Sequence, residues 1–596
     1  MPSPRTATPL RVVAAALCAL ITATCGDDGG STSAGATTGG ATATATSSTG
    51  ADATSESTTD SATATSTSTG EATTTAGGET TTTGGAAAWR SDLYPEDWTP
   101  ELEDGEGRFL HDFSYAGYRG GGVELARELP ALTIDLVADH GADPSGESDA
   151  SPALQAAIDA AADAGGAIIT IPAGLFRLDA PVSVSASKIV LRGEGADASR
   201  LWMTASAGMS NKSHVTFRGA LSYGDDAPLV ADAAARAFTV EVADASGLAP
   251  GDDVVIGWTI TAEFIAEHGM SGVWMAFNGD WQPFFWRTVV AVDTAADPDV
   301  ITLDVPLRYP AKTRDGASLR AVSGYLREVG VENLGVADAT AWEQAWEEDQ
   351  IHAIELDGVV DGWVRGVASF PSPGAPSDGL GVGRHLQSGG LIVRRSKRVT
   401  VADSHLALPE NRGGGGNGYL FEVRQSSEIL FRDLLGEAGR HNFIQNWGFG
   451  ATGIVWLRIH SKDGIAVPLK GADVGLTGFS EFHHSLATAN LIDQSTIDDG
   501  WGAVNRGDYS TGAGHSATQS VLWNSDGSGI LRSRQFGHGY VIGPAPSLKV
   551  ETSLDLLDGL GTEPEDWVEG PGDPDKAGAL EPASLYEDQL ARRLGG

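Results

Sequence analysis

Short apolar strands ending in turns recur along the second half of this 596-residue chain, and that recurrence limits its fold more than any other feature. The strands are Val331-Glu332-Asn333-Leu334-Gly335-Val336, Trp363-Val364-Arg365-Gly366-Val367, Val399-Thr400-Val401-Ala402-Asp403, Ile429-Leu430-Phe431-Arg432-Asp433 and Ile454-Val455-Trp456-Leu457-Arg458. Their first residues lie 25 to 36 positions apart. One such strand cannot bury its apolar face alone, whereas stacked copies bury a continuous core, so the period predicts a solenoid with three short strands per coil.

The N-terminus predicts export. Arg5 and Arg11 precede an apolar run from Val12 to Thr24, whose 13 residues fit a signal-peptide core and fall short of a bilayer span of about 20. Cys18 and Cys25 are the only cysteines, so the exported body is expected to lack disulfides, thiolate metal sites and cysteine nucleophiles. Ile21-Thr22-Ala23-Thr24-Cys25-Gly26 resembles a bacterial lipobox, with Thr22 where leucine is usual, which implies lipidation at Cys25. Residues 26–88 are mostly Thr, Ser, Ala and Gly, too apolar-poor to offset chain entropy, and are expected to form a disordered tether. The expected location is secreted, or lipid-anchored at the outer membrane or cell surface, with the anchor as the only membrane contact.

The folded part is expected to span 89–596. Ser151 as N-cap, Pro152, the apolar positions Leu154, Ile158 and Ala161, and the stop Gly165-Gly166 define one amphipathic helix. A strand follows from Ala167 to Ile171. Together with Gly141-Ala142-Asp143-Pro144, Asp149, Ile171-Pro172-Ala173-Gly174-Leu175-Phe176 and Leu191-Arg192-Gly193-Glu194-Gly195, this helix is similar to the start of the pectate lyase superfamily. The resemblance implies an all-β fold, a right-handed parallel β-helix with a helix capping its N-terminal end. Polysaccharide lyases, glycoside hydrolases, epimerases and phage tailspikes share that fold, so it does not select a reaction.

Residues 215–320 break the rhythm with hairpin-like alternation and predict an inserted β-rich subdomain. Its aromatic residues, Trp258, Phe264, Trp274, Phe277, Trp281, Phe284, Phe285 and Trp286, are expected mainly to fill a core. Pro582 to Leu594 reads as a short amphipathic helix capping the C-terminal end.

A net charge of −40 argues against a nucleic-acid partner. From Arg384 to Lys470, however, 12 Lys or Arg face 7 Asp or Glu, a stretch expected to steer an anionic ligand. His441, Lys462, His484 and Arg506 lie 21, 22 and 22 residues apart. If those intervals are coils, the four form a ladder about 14 Å long, and they are the candidate catalytic groups. Ser480 to Asn524 is dense in His, Asp, Asn and Trp; Asn490, Asn505 and Asn524 read as structural, and Arg440, His483, Trp501 and Trp523 as candidate substrate-binding residues.

On an acidic polysaccharide these residue types suit β-elimination, in which a cation neutralises the uronate carboxylate and a base removes the C5 proton. By analogy with metal-dependent lyases of this fold, calcium would be held by Asp493, Asp498 and Asp499. Hydrolysis by paired carboxylates is the competing chemistry. Asp498-Asp499 and Gly537-His538-Gly539 resemble polygalacturonase motifs, but no Asn-Thr-Asp precedes the pair, no Arg-Ile-Lys follows, and 39 residues separate Asp499 from His538. A non-catalytic, glycan-binding surface protein is the third reading, left open by Trp456, Trp501 and Trp523. The chain is expected to act as a monomer. It has no Gly-x-Ser-x-Gly elbow, phosphate-binding loop or His-Glu-x-x-His site.

Overall fold

A computed structural model describes residues 87–126, 129–342, 350–468, 475–476, 478–553 and 566–595. The expected signal segment, Cys25 and nearly all of the spacer lie outside the described residues. No helix among the described residues is long and apolar enough to cross a membrane.

The chain winds into a right-handed parallel β-helix with three ladders of short strands. In the first ladder, one inward position runs in register through Ile134, Ile169, Leu191, Val331, Val364, Val401, Phe431, Trp456, Ile492, Leu522 and Val541. All eleven are buried in one core. Each lies roughly 4.8 Å from its neighbours along the axis, so like side chains stack on like. Phe431 and Trp456 stack at 4.1 Å, and Trp456 meets Trp501 edge-on at 6.0 Å.

The corner between the first and second ladders is a left-handed residue in successive coils: Asn333, Gly366, Asp403, Asp433, Arg458, Gln494 and Asn524. Gly, Asn and Asp tolerate that conformation best, which gives Asp403, Asp433 and Asn524 structural roles. Asn490 is structural as well, its Oδ1 accepting from the Ile454 amide at 2.8 Å.

The third ladder runs through Val182–Val184, Lys212–Arg218, Ile351–Asp357, Gly389–Arg394, Tyr419–Arg424, His441–Gln445, Ser480–Phe482, Gly500–Ala503, Ile530–Ser533 and Lys549–Glu551. Loops 371–388 and 409–418 lead into its strands from the second ladder.

The helix Ser151–Asp163 buries Leu154, Ile158 and Ala161 against the first coils. Ala150, not Ser151, is its N-cap, and Ser151 Oγ instead accepts from the Ala180 amide at 3.0 Å. The C-terminal helix Leu585–Arg593 is not an end cap. It lies along the flank of the first ladder, where Asp493 accepts from Ser584 Oγ at 2.7 Å and from the Tyr586 amide at 2.9 Å. Gln589 and Tyr586 join it to the lead-in segment through His111, Phe113 and Ala116.

The inserted subdomain is a seven-stranded antiparallel sheet from Ser222 to Ser323. It begins later than residue 215, because Val215 and Phe217 belong to a third-ladder rung and point into the helix core. Seven of its eight singled-out aromatics are buried; Trp281 is half-buried under Arg320. The subdomain is joined to the coils by buried polar contacts. Arg308 holds Glu428 at 2.8 Å, Lys397 holds Asp253 at 2.8 Å, and Trp274 Nε1 donates to Ala513 O at 3.0 Å.

Because Trp456 is wholly buried between aromatic neighbours, Trp456→Ala should cost about 3–5 kcal/mol, against little for Trp281→Ala. Thermal and urea unfolding of the two variants checks this; equal stabilities would contradict the stacked core.

Candidate functional site

On the outer face of the third ladder one register runs through Glu355, Ile392, Glu422, Ile444, Glu481 and Gly502. A carboxylate therefore recurs on every second rung, with Glu422 and Glu481 about 10 Å apart along the axis. The connecting loops flank this face on one side. On the other, the inserted subdomain reaches it through Phe277, whose ring meets His484 at 5.5 Å.

Glu481 is the centre of the cluster. His483 Nδ1 makes a short contact to its Oε1, His441 Nε2 lies 3.4 Å from the same oxygen, and Arg506 Nη2 lies 3.6 Å away. Arg506 also donates to His483 O at 2.6 Å. Tyr419 stands against His441 with ring centroids 5.0 Å apart, and its hydroxyl accepts from Arg440 Nη2 at 2.8 Å. His441, His483 and Glu481 are buried, and Arg506 reaches the surface.

Glu422 organises the adjoining coils. Its Oε2 takes Gln350 Nε2 and His352 Nε2, each at 2.9 Å, and its Oε1 takes Asn446 Nδ2 at 3.0 Å and the Arg424 guanidinium. Burial would raise the Glu422 pKa, but Arg424 and His352 outweigh it and hold the carboxylate at about 2. Burial, helped by neighbouring guanidiniums, pushes His441 and His483 well below the usual imidazole range and His484 to about 3. At neutral pH the cluster thus combines neutral imidazoles, an ionised Glu422 and guanidinium groups.

Of the residues singled out from sequence, His441, His483, Arg440 and Arg506 meet here. The regular ladder of His441, Lys462, His484 and Arg506 does not form, because the coils differ in length. Lys462 ends a second-ladder strand and pairs with Glu437 at 3.3 Å. His484 is fully buried, bonded to Ser510 O at 2.9 Å and packed on Trp447 at 4.3 Å, and its contact with Phe277 at 5.5 Å fastens this corner to the subdomain.

Trp501 and Trp523 are core residues rather than sugar platforms, as is Trp456; Trp523 Nε1 donates to Pro582 O at 3.1 Å. The three aspartates assigned to calcium do not converge. Asp493 anchors the C-terminal helix, and Asp498 pairs with His460 at 2.8 Å. Asp499 accepts from Asn442 Nδ2 at 2.9 Å and Ser461 Oγ at 3.0 Å, with burial raising its pKa to about 6.

Nor is the cationic excess of the basic stretch left unpaired among the described residues. Arg384 pairs with Glu410, Arg394 with Glu355, Arg395 with Asp357, Lys397 with Asp253 and Arg398 with Asp304 and Asp361. Most of those acids lie outside the stretch, which explains why a local count found an excess.

Glu481 belongs to the residue-dense Ser480–Asn524 segment but has no role in the sequence reading, and Glu422 has no place in it, although Glu422 is a charged residue inside an otherwise apolar strand, Tyr419-Leu420-Phe421-Glu422-Val423. Such a residue must have buried partners, and that was the available signal.

Residues 136–261 match the family model described as rhamnogalacturonase A/epimerase, pectate lyase-like; the matched residues precede the cluster in sequence. No curated protein matches the chain. Among solved structures, the chain is similar to the tailspike protein gp49 from Pseudomonas phage LKA1, at 14% identity over 70% of this chain and 64% of that one, with a TM-score of 0.45. It is similar to an iota-carrageenase complexed to iota-carrageenan fragments, at 11% identity over 72% and 59%, with a TM-score of 0.31. It is also similar to an exopolygalacturonase from Thermotoga maritima, at 10% identity over 76% and 81%, with a TM-score of 0.30. The chain thus spans less than two thirds of the tailspike and of the carrageenase.

Burial is the largest cause of lowered pKa at nine histidines: His111, His268, His385, His405, His441, His483, His484, His515 and His538. Below the unfolded value of about 6.5 the unfolded chain binds protons at these sites that the folded chain does not, so stability falls as pH falls. Asp493 at about 7, Asp499 and Asp566 at about 6, and Glu410, raised by burial, act in the opposite sense and are fewer. The melting temperature should therefore drop between pH 7 and pH 5; a rise over that interval would show that the histidines are not held neutral.

Proposed function

We propose that this chain is an exported polysaccharide-cleaving enzyme, tethered through a lipid on Cys25, that acts by β-elimination on an acidic polysaccharide at the Glu481 cluster. The observation that carries the reading is the meeting of neutral, buried imidazoles with guanidinium groups on one face of a parallel β-helix. The fold and the partial family match support a carbohydrate-active role.

Elimination needs the carboxylate beside the C5 proton neutralised, and Arg506, with Arg424 on the Glu422 rung two rungs from Glu481, supplies fixed positive charge where the cluster reaches the surface. His441 accepts the proton once substrate binding uncovers its Nε2, which is buried in this structure. Its Nδ1 faces Phe479 O, a carbonyl that can only accept, so the proton sits on Nδ1 and Nε2 carries the lone pair. As that proton moves to Nε2, the C4–C5 double bond forms and the C4–O bond breaks. The leaving oxygen then takes a proton, for which the Tyr419 hydroxyl stands beside the imidazole.

Hydrolysis is the second reading, favoured by Glu422 and Glu481 two rungs apart, a spacing near that of carboxylate pairs that work through a water. The purified protein should raise absorbance at the unsaturated uronyl band with at least one member of a polyuronate panel. His441→Ala should lower kcat by about 10²–10⁴-fold. New reducing ends without absorbance would move the reaction to hydrolysis, and neither signal across the panel would remove the enzymatic reading.

A further inference from the structure

We infer that His441, Glu481 and His483 form a site for a first-row divalent transition metal ion of the zinc type. Their ligand atoms all lie within 4.8 Å of one another, and all three side chains are buried. Because Phe479 O fixes the His441 tautomer, its Nε2 lone pair is turned toward Glu481 Oε1, 3.4 Å away. That Nε2 is shut off from solvent and has no hydrogen-bond partner among the described residues. Two acceptors so placed repel each other unless a proton or a cation lies between them.

The His441–Glu481 dimension suits a cation. With metal–ligand bonds of about 2.0–2.1 Å in tetrahedral geometry, neighbouring ligand atoms stand about 3.4 Å apart, as His441 Nε2 and Glu481 Oε1 do. His483 Nδ1, in short hydrogen-bond contact with the same oxygen, completes the set by giving up its proton and drawing back as the ion enters, with Ser510 Oγ, 3.2 Å from Nε2, taking the outer N–H. Metal-binding imidazoles commonly donate the outer N–H to a carbonyl or hydroxyl in this way, which fixes the ring.

Two imidazoles and one carboxylate select zinc, cobalt or nickel over calcium, which takes six to eight oxygens. The nearby guanidiniums are engaged elsewhere. Arg440 bonds Asn417 O and Tyr419 Oη, and Arg506 bonds His483 O, keeping Nη2 at 3.6 Å from Glu481. Glu422 adds a second negative charge on the coil two rungs away. An ion here would take the lone pair that the elimination reading assigns to the base, so, resting on that reading, the metal-free form is the eliminating one.

The test uses the full chain with Cys18→Ser and Cys25→Ser to remove the thiols, stripped by chelator and titrated with Co²⁺ while visible absorbance is followed. One equivalent should bind and give the d–d bands of four-coordinate nitrogen and oxygen ligation, Zn²⁺ should displace it, and Ca²⁺ should not. His441→Ala and Glu481→Gln should each weaken uptake more than tenfold, since loss of even an outer-shell partner costs that much. Absence of the bands in the chain with an intact site overturns the inference whatever the variants' folding, as does unchanged uptake in a folded His441→Ala chain. Uptake by a chain whose metal-free form eliminates on no polyuronate would sustain the ion site and sink the elimination reading.

Discussion

The registered stacking of one coil on the next, roughly 4.8 Å apart, is the constraint on which everything else depends. A residue on an inner position is packed by its counterparts above and below, so the run from Ile134 to Val541 must stay apolar and compatible in shape along its length. It also restricts where the chain can vary. Strands cannot lengthen without breaking register, whereas corners can, and among the described residues the Ser222–Ser323 subdomain and loop 371–388 emerge there. The one corner that stays tight, between the first and second ladders, does so through a left-handed residue.

Attaching so large an insertion to a solenoid flank is handled largely by buried charge. Arg287 and Arg308 are fully buried and share Glu428, while Lys397 crosses to Asp253. Removing one partner would leave an uncompensated buried charge, a loss of about 3–5 kcal/mol, so these pairs fix the orientation of the subdomain more than they add net stability. Within the basic stretch, Lys397 and Arg398 are used in this way, Arg398 through Asp304.

The fold was legible because its strongest periodic signal is real: all five strands picked out from Val331 onward are rungs of the first ladder. Val331, Val364, Val401, Phe431 and Trp456 share one register position, and the hydrophobic effect makes that position conspicuous in sequence. The site was legible only in part. His441, His483, Arg440 and Arg506 stood out as polar residues in excess of what strands require, and they do converge. Equal spacing could not place them, because the register partners Glu422, Ile444, Glu481 and Gly502 are unequally spaced in sequence, so constant intervals land on different ladders. Trp501 and Trp523 misled because an aromatic residue on a short strand reads the same whether it points in or out. The Asp493, Asp498 and Asp499 group misled because acids near in sequence diverge at each corner.

Carboxylates on alternate rungs also have a physical reason. Two like charges on adjacent rungs would repel by about 3.5 kcal/mol at an effective dielectric of 20, and about half that when two rungs apart. Placing Ile392 and Ile444 between Glu355, Glu422 and Glu481 halves the repulsion and leaves room beside each acid for its own cationic or imidazole partners. Glu355 takes Arg218 and Arg394, Glu422 takes Arg424 and His352, and Glu481 takes His483 and Arg506. The first of these acids is held by two arginines and the second by an arginine and a histidine. Only at Glu481 do two imidazoles approach one oxygen, one of them with its lone pair turned inward, and there the face changes from a charge-balanced surface to one suited to moving a proton or holding an ion.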